Sequence, residues 1–495
     1  MAAKNNRMLM DTVDVVIVGA RLAGLATAIP LAHAGLRVVA IDKTHFPSDT
    51  MSTHAMVPSA IQELVLLGAL DRVLALDPAK SRYLAIHEDG IRFRERYRSF
   101  LGIDYGLCIP RDLLDMQMVD TARAAGVDVR ERCGFESVIS DGDRAVGIRY
   151  RSRGTLHELR ARVVVGADGR KSRVAAELGV WDPYRGSKNG RGFAFRYLDD
   201  PIGPDAQEEY GIYRYGTTVS LMMPACPRGR AIAVHMCDAV EIPAFRADPE
   251  GMWNAKLAED AAWRDRVGGA TNMSPVRATD DLSAYYRASS GPGWALVGDA
   301  GHFKDPVTGN GQRDALKHGR LLGETIATTI EDSAKLDAAL RQWEQNRDRD
   351  TISTYHWGNR ETNPAPSSPL AKAVIAGFAD NPAEVPQFSD TFNRVRPVEH
   401  VLNPVRLTAA VIRALRTPGV NRREILAEVA QQLPHEIDVR RHRLIDGFRS
   451  SRKISTERPG WTVGTAPRAS SDSENRNGGA VLPEAGDPDR STTGA

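Results

Sequence analysis

The β-branched run VDVVIV at Val13–Val18 ends abruptly in Gly19-Ala20-Arg21-Leu22-Ala23-Gly24, and this junction constrains the fold more than any other feature of the chain. Such a run, with little polar alternation, has the pattern of a parallel strand covered on both faces. Leu22–Ala34 has helical composition and stops at Gly35, a glycine suited to a helix C-terminus, and RVVAID at Arg37–Asp42 is a second buried strand. A strand, a tight glycine turn, a helix and a second strand within about thirty residues form a β-α-β unit. Pro30 falls inside the helix, where it removes a backbone bond.

The turn has the logic of a dinucleotide site. Gly19 and Gly24 let the backbone approach a pyrophosphate, and a helix start directs free N–H groups and a positive dipole end at it. Arg21 stands where the pattern asks for glycine, and there it places a cation beside the phosphates. Asp42, at the end of the second strand, is positioned to accept hydrogen bonds from a ribose.

Two further glycine-acid segments follow strand-like runs. RVVVGADG ends one run at Gly166 and continues as Asp168-Gly169-Arg170-Lys171-Ser172-Arg173. WALV precedes Gly298-Asp299-Ala300-Gly301-His302-Phe303-Lys304-Asp305-Pro306, and Thr308-Gly309-Asn310-Gly311 then opens a helix. Leu322, Ile326 and Ile330 recur at four-residue steps and give that helix a buried stripe. Either segment alone is equally well a polar turn at a strand end.

In this order the three segments resemble the p-hydroxybenzoate hydroxylase-like family, the FAD-dependent aromatic monooxygenases and their relatives, over residues 12–330. The resemblance implies an α/β fold: a Rossmann-like FAD-binding domain with an inserted antiparallel sheet for substrate and a helical C-terminal region. It implies that Gly19, Arg21 and Gly24 hold the FAD pyrophosphate, Asp42 the adenosine ribose, and Asp299 the ribityl chain. Pro306, Gly309, Asn310 and Gly311 would lie beside the isoalloxazine. Arg111 of IPRDLLD matches a basic residue that contacts FAD, and Asp168 belongs to a segment that serves FAD and the nicotinamide cofactor indirectly. The activity implied is oxygenation of a hydrophobic aromatic or polycyclic small molecule through a flavin hydroperoxide, with NADPH or NADH as reductant.

Departures from the pattern open other reactions. HisPheProSerAspThrMetSerThrHis at 45–54 is closer to geranylgeranyl-reductase-like and halogenase-like relatives. The Trp-x-Trp-x-Ile-Pro segment of flavin halogenases is missing, since Trp181 and Trp294 stand in other contexts. A reductase of the geranylgeranyl type and a non-catalytic flavin-binding scaffold are the alternatives. No catalytic side chain is assigned: His54, His235 and His302 are each read as loop or core histidines. Phe193, Phe195, Tyr213 and Tyr215 are aromatic strand residues that either line a substrate cavity or pack a sheet, and Tyr215 is the expected wall residue.

The expected order is an FAD-binding part over 1–180, a sheet over 181–290, the rest of the FAD-binding domain over 291–362, helices over 363–450 and a disordered tail over 451–495. Composition narrows the partners. A formal charge of +2 lacks the basic surplus of a nucleic-acid binder. Four cysteines without C-x-x-C spacing indicate neither a disulfide framework nor a metal, and fit a reducing cytoplasm. No apolar run is long enough for a membrane span or a signal peptide.

Overall fold

The computed structural model describes residues 11–381 and 386–430, together with Leu433, Ile437, Ser455 and Thr456. The tail expected to be disordered lies outside the described residues except for Ser455–Thr456, which pair beside Arg185–Gly186.

The opening β-branched run becomes the strand Asp11–Val18, and the predicted helix is Leu22–His33. Four neighbours lie parallel to that first strand or to one another, in the order Trp294–Leu296, Thr155–Gly166, Asp11–Val18, Val38–Ile41 and Asp128–Arg130. Val15, Ile17, Val163 and Val165 point to the face covered by helices Leu22–His33, Arg111–Ala124 and Gly311–Thr329. Val16, Val18 and Val164 fill the other face. There the strands Cys133–Asp141 and Arg144–Ser152 form the expected antiparallel meander with the first half of Thr155–Gly166. Because both faces are covered, these strands lack a polar alternation.

The second sheet runs Arg277–Thr279, Phe193–Asp199, Arg230–Met236, Thr218–Pro224, Glu209–Tyr215, Tyr83–Glu88 and Ile91–Arg96. Its last two strands come from inside 1–180, so the sheet is larger than the 181–290 segment read from sequence; Tyr83–Glu88 joins it in parallel with Glu209–Tyr215. Two-residue alternation separates its faces. Phe193, Phe195 and Val234 turn toward the nucleotide half, whereas Ala194, Leu198, Ala233 and Tyr213 pack beneath Trp253 and Trp263.

Small residues set the closest contact between the helices Leu22–His33 and Gly311–Thr329. A Cβ on Gly319 would lie 2.6 Å from the Ala23 carbonyl oxygen, and one on Gly323 would lie 2.4 Å from that of Thr27 and 2.6 Å from Pro30 Cγ. The mid-helix Pro30 is therefore accommodated against a glycine of the neighbouring helix. Gly323→Ala is expected to force these backbones apart and destabilise the fold by about 1–3 kcal/mol, as overpacking does. Chemical denaturation checks this; unchanged stability would mean that the two helices separate without cost.

Candidate functional site: the carboxyl edge of the parallel sheet

The segments at Gly19, Asp42, Asp168 and Asp299, distant in sequence, leave the carboxyl ends of four adjacent parallel strands. This is the edge at which open α/β sheets bind ligands. Gly19 has φ +108°, and a Cβ there would lie 2.3 Å from the Ala167 carbonyl oxygen, so the first turn closes directly on the second segment. A Cβ on Gly24 would overlap the Gly19 carbonyl at 1.9 Å. Gly298, at φ +60°, lies so close to Ala23 that a Cβ would come within 2.6 Å of its side chain.

Asp42 accepts from the Ala20 amide at 2.9 Å, and from the Thr44 amide and hydroxyl at 2.9 and 2.8 Å. A carboxylate has about four acceptor positions, so one remains for a ribose hydroxyl. Asp299 is half-buried, and among the described residues its carboxylate has no hydrogen-bond donor. Burial raises its pKa, against the fields of Arg170, Arg111 and Lys304. The Tyr285 hydroxyl donates to the Asp299 carbonyl at 2.6 Å. The buried Arg287 guanidinium bonds the carbonyls of Ala300 at 3.2 Å and Arg170 at 3.3 Å, fastening the second segment to the third.

The helices at these turns differ in how they begin. No side chain caps Leu22–His33 or Gly311–Thr329; the Asn310 amide instead donates to the Thr308 carbonyl at 2.6 Å. Pro306 opens a short turn that ends at Gly309 with φ +63°, and Cβ atoms at Gly309 and Gly311 would enter open space. Two uncapped helix starts with glycine approaches and a donor-free acid suit a phosphate-bearing, hydroxyl-rich cofactor. The residues present thus fit FAD.

The helix Arg173–Glu177 is different. Asp168 accepts from Ser172 Oγ at 2.5 Å and from the Arg173 and Val174 amides at 2.7 and 3.1 Å, while Ser172 Oγ accepts from the Ala175 amide at 2.9 Å. Its acceptors serve its own loop.

Arg21 is placed differently from the expectation of a phosphate cation. Its guanidinium pairs with buried Asp115 and bonds Ser48 at the carbonyl (2.9 Å) and the hydroxyl (3.0 Å). Arg111 shares the same acid, bonding Asp115 at 3.0 and 3.1 Å. The i,i+4 spacing of Arg111 and Asp115 was a legible signal for this pair, whereas the meeting with Arg21 depends on the fold.

Ser48 begins a loop tied to the first turn, the second sheet and the helix Gly311–Thr329. Asp49 pairs with Arg277 of the second sheet, and Ser52 Oγ accepts from Gln312 Nε2 at 3.1 Å. His54, at φ +60°, meets the Tyr197 hydroxyl through Nε2 at 2.9 Å and packs its ring 5.5 Å from those of Phe195 and Tyr197. Burial, with help from Arg111 and Arg277, lowers its pKa to about 3. The other two histidines are core residues as read. His235 lies between Trp253 and Trp263, with Ser220 at 2.8 Å, and His302 stacks on Tyr286.

Phe193 and Phe195 are in the wall facing this loop. Tyr213 is on the far face against His87 and Trp263, and Tyr215 is 50% exposed, so the expected wall role of Tyr215 is corrected. Strand alternation sets Tyr213 away from the wall, and Tyr215 ends its strand.

Behind Gly311–Thr329, the helix expected to face the flavin, Lys304 and Arg313 pair with Asp314, and Arg313, Lys317 and His318 with Asp350. Asp314, His318 and Asp350 are close enough to share a metal ion, but Arg313 already pairs with both carboxylates, and burial pushes the His318 pKa well below its ordinary value. Burial raises the Asp350 pKa, yet Arg394 and Arg313 hold it far below the ordinary range.

The family model described as FAD binding domain matches residues 12–351. The chain belongs to this family of FAD-binding flavoproteins. Among its relatives, digeranylgeranylglycerophospholipid reductase 1 of Methanopyrus kandleri is 25% identical over 366 residues, covering 73% of this chain and 92% of the relative. The myxobacterial chondrochloren halogenase CndH superposes with a TM-score of 0.64 at 18% identity, covering 81% of this chain and 97% of that one. PqsL of Pseudomonas aeruginosa, described as a probable FAD-dependent monooxygenase, superposes with a TM-score of 0.58 at 20% identity, covering 75% and 97%.

Two outcomes test the site. Asp299→Ala is expected to weaken FAD binding by about 1–3 kcal/mol with the fold retained, because it removes a polar acceptor outside the core; flavin release measured by fluorescence checks it, and wild-type affinity would remove Asp299 from the site. His54 is neutral in the fold, with a pKa of about 3 against an ordinary 6.5. Its contribution is complete above the ordinary value and is lost as pH falls toward the folded one, reaching about 2 kcal/mol at pH 5. His54→Asn, a residue that tolerates positive φ, is expected to unfold with a shallower acid dependence; identical pH profiles would show that His54 exchanges protons freely.

Proposed function

We propose that the chain is an FAD-dependent monooxygenase that uses NADPH or NADH and dioxygen to oxygenate a hydrophobic, aromatic or polycyclic small molecule. The observation that carries this reading is the apolar wall in which half-buried Tyr197, Phe303 and Val307 pack on the buried Phe193 and Phe195. A wall of this kind binds a flat apolar compound and keeps water from the reacting atoms. When bound, FAD supplies the redox chemistry and the activation of oxygen.

The remaining tasks belong to the chain. Gly19, Gly24 and the helix start at Leu22 receive the pyrophosphate, Asp42 the ribose and Asp299 the ribityl hydroxyls. The uncapped start at Gly311 faces negative charge with N–H groups, and Gly309 lets the backbone approach closely. Arg21 and Arg111, joined through Asp115, fix the 48–54 loop and the helix from Arg111 rather than neutralise phosphate. His54 holds the Tyr197 hydroxyl beside the Phe195 ring.

A second reading is an FAD-dependent reductase of the geranylgeranyl type. It is favoured by the likeness to the Methanopyrus reductase over 92% of that relative, and the same apolar wall suits a prenyl chain.

Oxygen labelling separates the readings. Turnover under labelled dioxygen is expected to place one labelled atom in the product, while labelled water places none. An unlabelled product formed equally well without oxygen selects the reductase. Failure of NADPH and NADH to bleach the FAD-loaded protein anaerobically would overturn the proposed reductant.

A further inference from the structure

The family match ends at 351, yet part of the apolar wall comes from later in the chain. The helix Pro386–Phe392 directs Phe388 and Phe392 onto the core that holds Phe193, Phe195, Phe303 and Val307. Both rings are half-buried. Phe388 stands edge-on to Phe93, with centroids 5.6 Å apart, and Phe392 lies 4.9 Å from Trp357. Phe392 also reaches the core of the FAD-binding half, so it bridges the two domains at their junction.

Polar contacts fasten this helix on two sides. Ser389 donates to Glu95 of the second sheet from its amide at 3.2 Å and its hydroxyl at 2.8 Å. Just beyond the helix, Arg394 donates to the Asp350 carbonyl, and its guanidinium lies 3.3 Å from the Asp350 carboxylate and 3.5 Å from that of Asp314 on the flavin helix.

The backbone at Arg394 has φ +57°, in the left-handed region where helices usually end in glycine. The Val395 amide closes the helix end on the Asp390 carbonyl at 3.0 Å. A cap alone is better made by glycine. What arginine adds is a nearly buried cation, 8% exposed, that joins the helix end to the charge cluster behind the flavin helix.

We propose that Phe388 and Phe392 complete the substrate cavity and set its specificity for a flat, apolar molecule, with Arg394 as the positioning residue that holds them against the flavin helix. This rests on the reading that the Phe193–Tyr197 wall faces substrate. The C-terminal region thereby supplies specificity to a site whose cofactor machinery lies within the family match.

The test uses the full-length, FAD-loaded protein and 2-naphthol as probe, read by perturbation of the flavin absorption bands. Phe392→Ala is expected to weaken probe binding about tenfold, the loss of ~1.4 kcal/mol of ring contact. Phe392→Leu keeps an apolar filler, guards against unfolding and should give a smaller loss. Arg394→Gly relieves the left-handed backbone but removes the ion pairs with Asp314 and Asp350, so it should weaken the probe several-fold and speed hydrogen exchange over 386–396; Arg394→Lys should restore both. Unchanged probe affinity in Phe392→Ala or Phe392→Leu with normal FAD content overturns the wall assignment. Unchanged affinity and exchange in Arg394→Gly overturn the anchor, and no response of the wild type to 2-naphthol overturns the ligand class. Binding is read without turnover, so failed oxygen labelling defeats the oxygenase reading while leaving this result standing.

Discussion

Close approach of the two cofactor-side helices is the constraint from which the rest of the site follows. Gly319 and Gly323 let Gly311–Thr329 lie directly on the carbonyls of Ala23 and Thr27, and Gly298 brings the third segment against Ala23. Side chains at these three positions would separate the first glycine turn from the third segment. A cofactor that spans both needs their spacing fixed, and backbone contact fixes it more firmly than flexible side chains can.

On that frame, charge is used mainly to hold loops. Asp115 gathers Arg21 and Arg111, Asp168 caps its own helix start, and Arg287 binds carbonyls of two segments. Asp299 is left with an acceptor to offer, and two helix starts are left uncapped. These open groups are what suits this edge to the cofactor of the family. The 48–54 loop is held in the same way, through contacts with Arg21, Gln312, Arg277 and Tyr197.

The charge cluster around Asp314 and Asp350 joins the flavin helix to the chain beyond the family match. Its cations come from the flavin-side strand end, from the flavin helix and, through Arg394, from the C-terminal region. Buried charges hold their partners in one geometry, because breaking such a pair leaves an uncompensated ion. This gives the aromatic residues at 388 and 392 a fixed position relative to the flavin helix.

Local order in the sequence determined the β-α-β unit, the meander and the three glycine-acid turns, because strand period, turn glycines and helix starts depend on neighbours a few residues apart. The placement of Asp42 and Asp299 at the carboxyl edge was legible for the same reason, each acid following a recognisable strand. Tertiary structure alone decided the partner of Arg21, since Asp115 lies 94 residues away. It also decided the face on which Tyr213 falls and the entry of Tyr83–Arg96 into the second sheet. Gly319-x-x-x-Gly323 was visible as spacing, but its meaning required the opposing helix. The role of Arg394 was invisible in sequence, because an arginine among many acquires one only when a folded backbone directs it at a buried carboxylate.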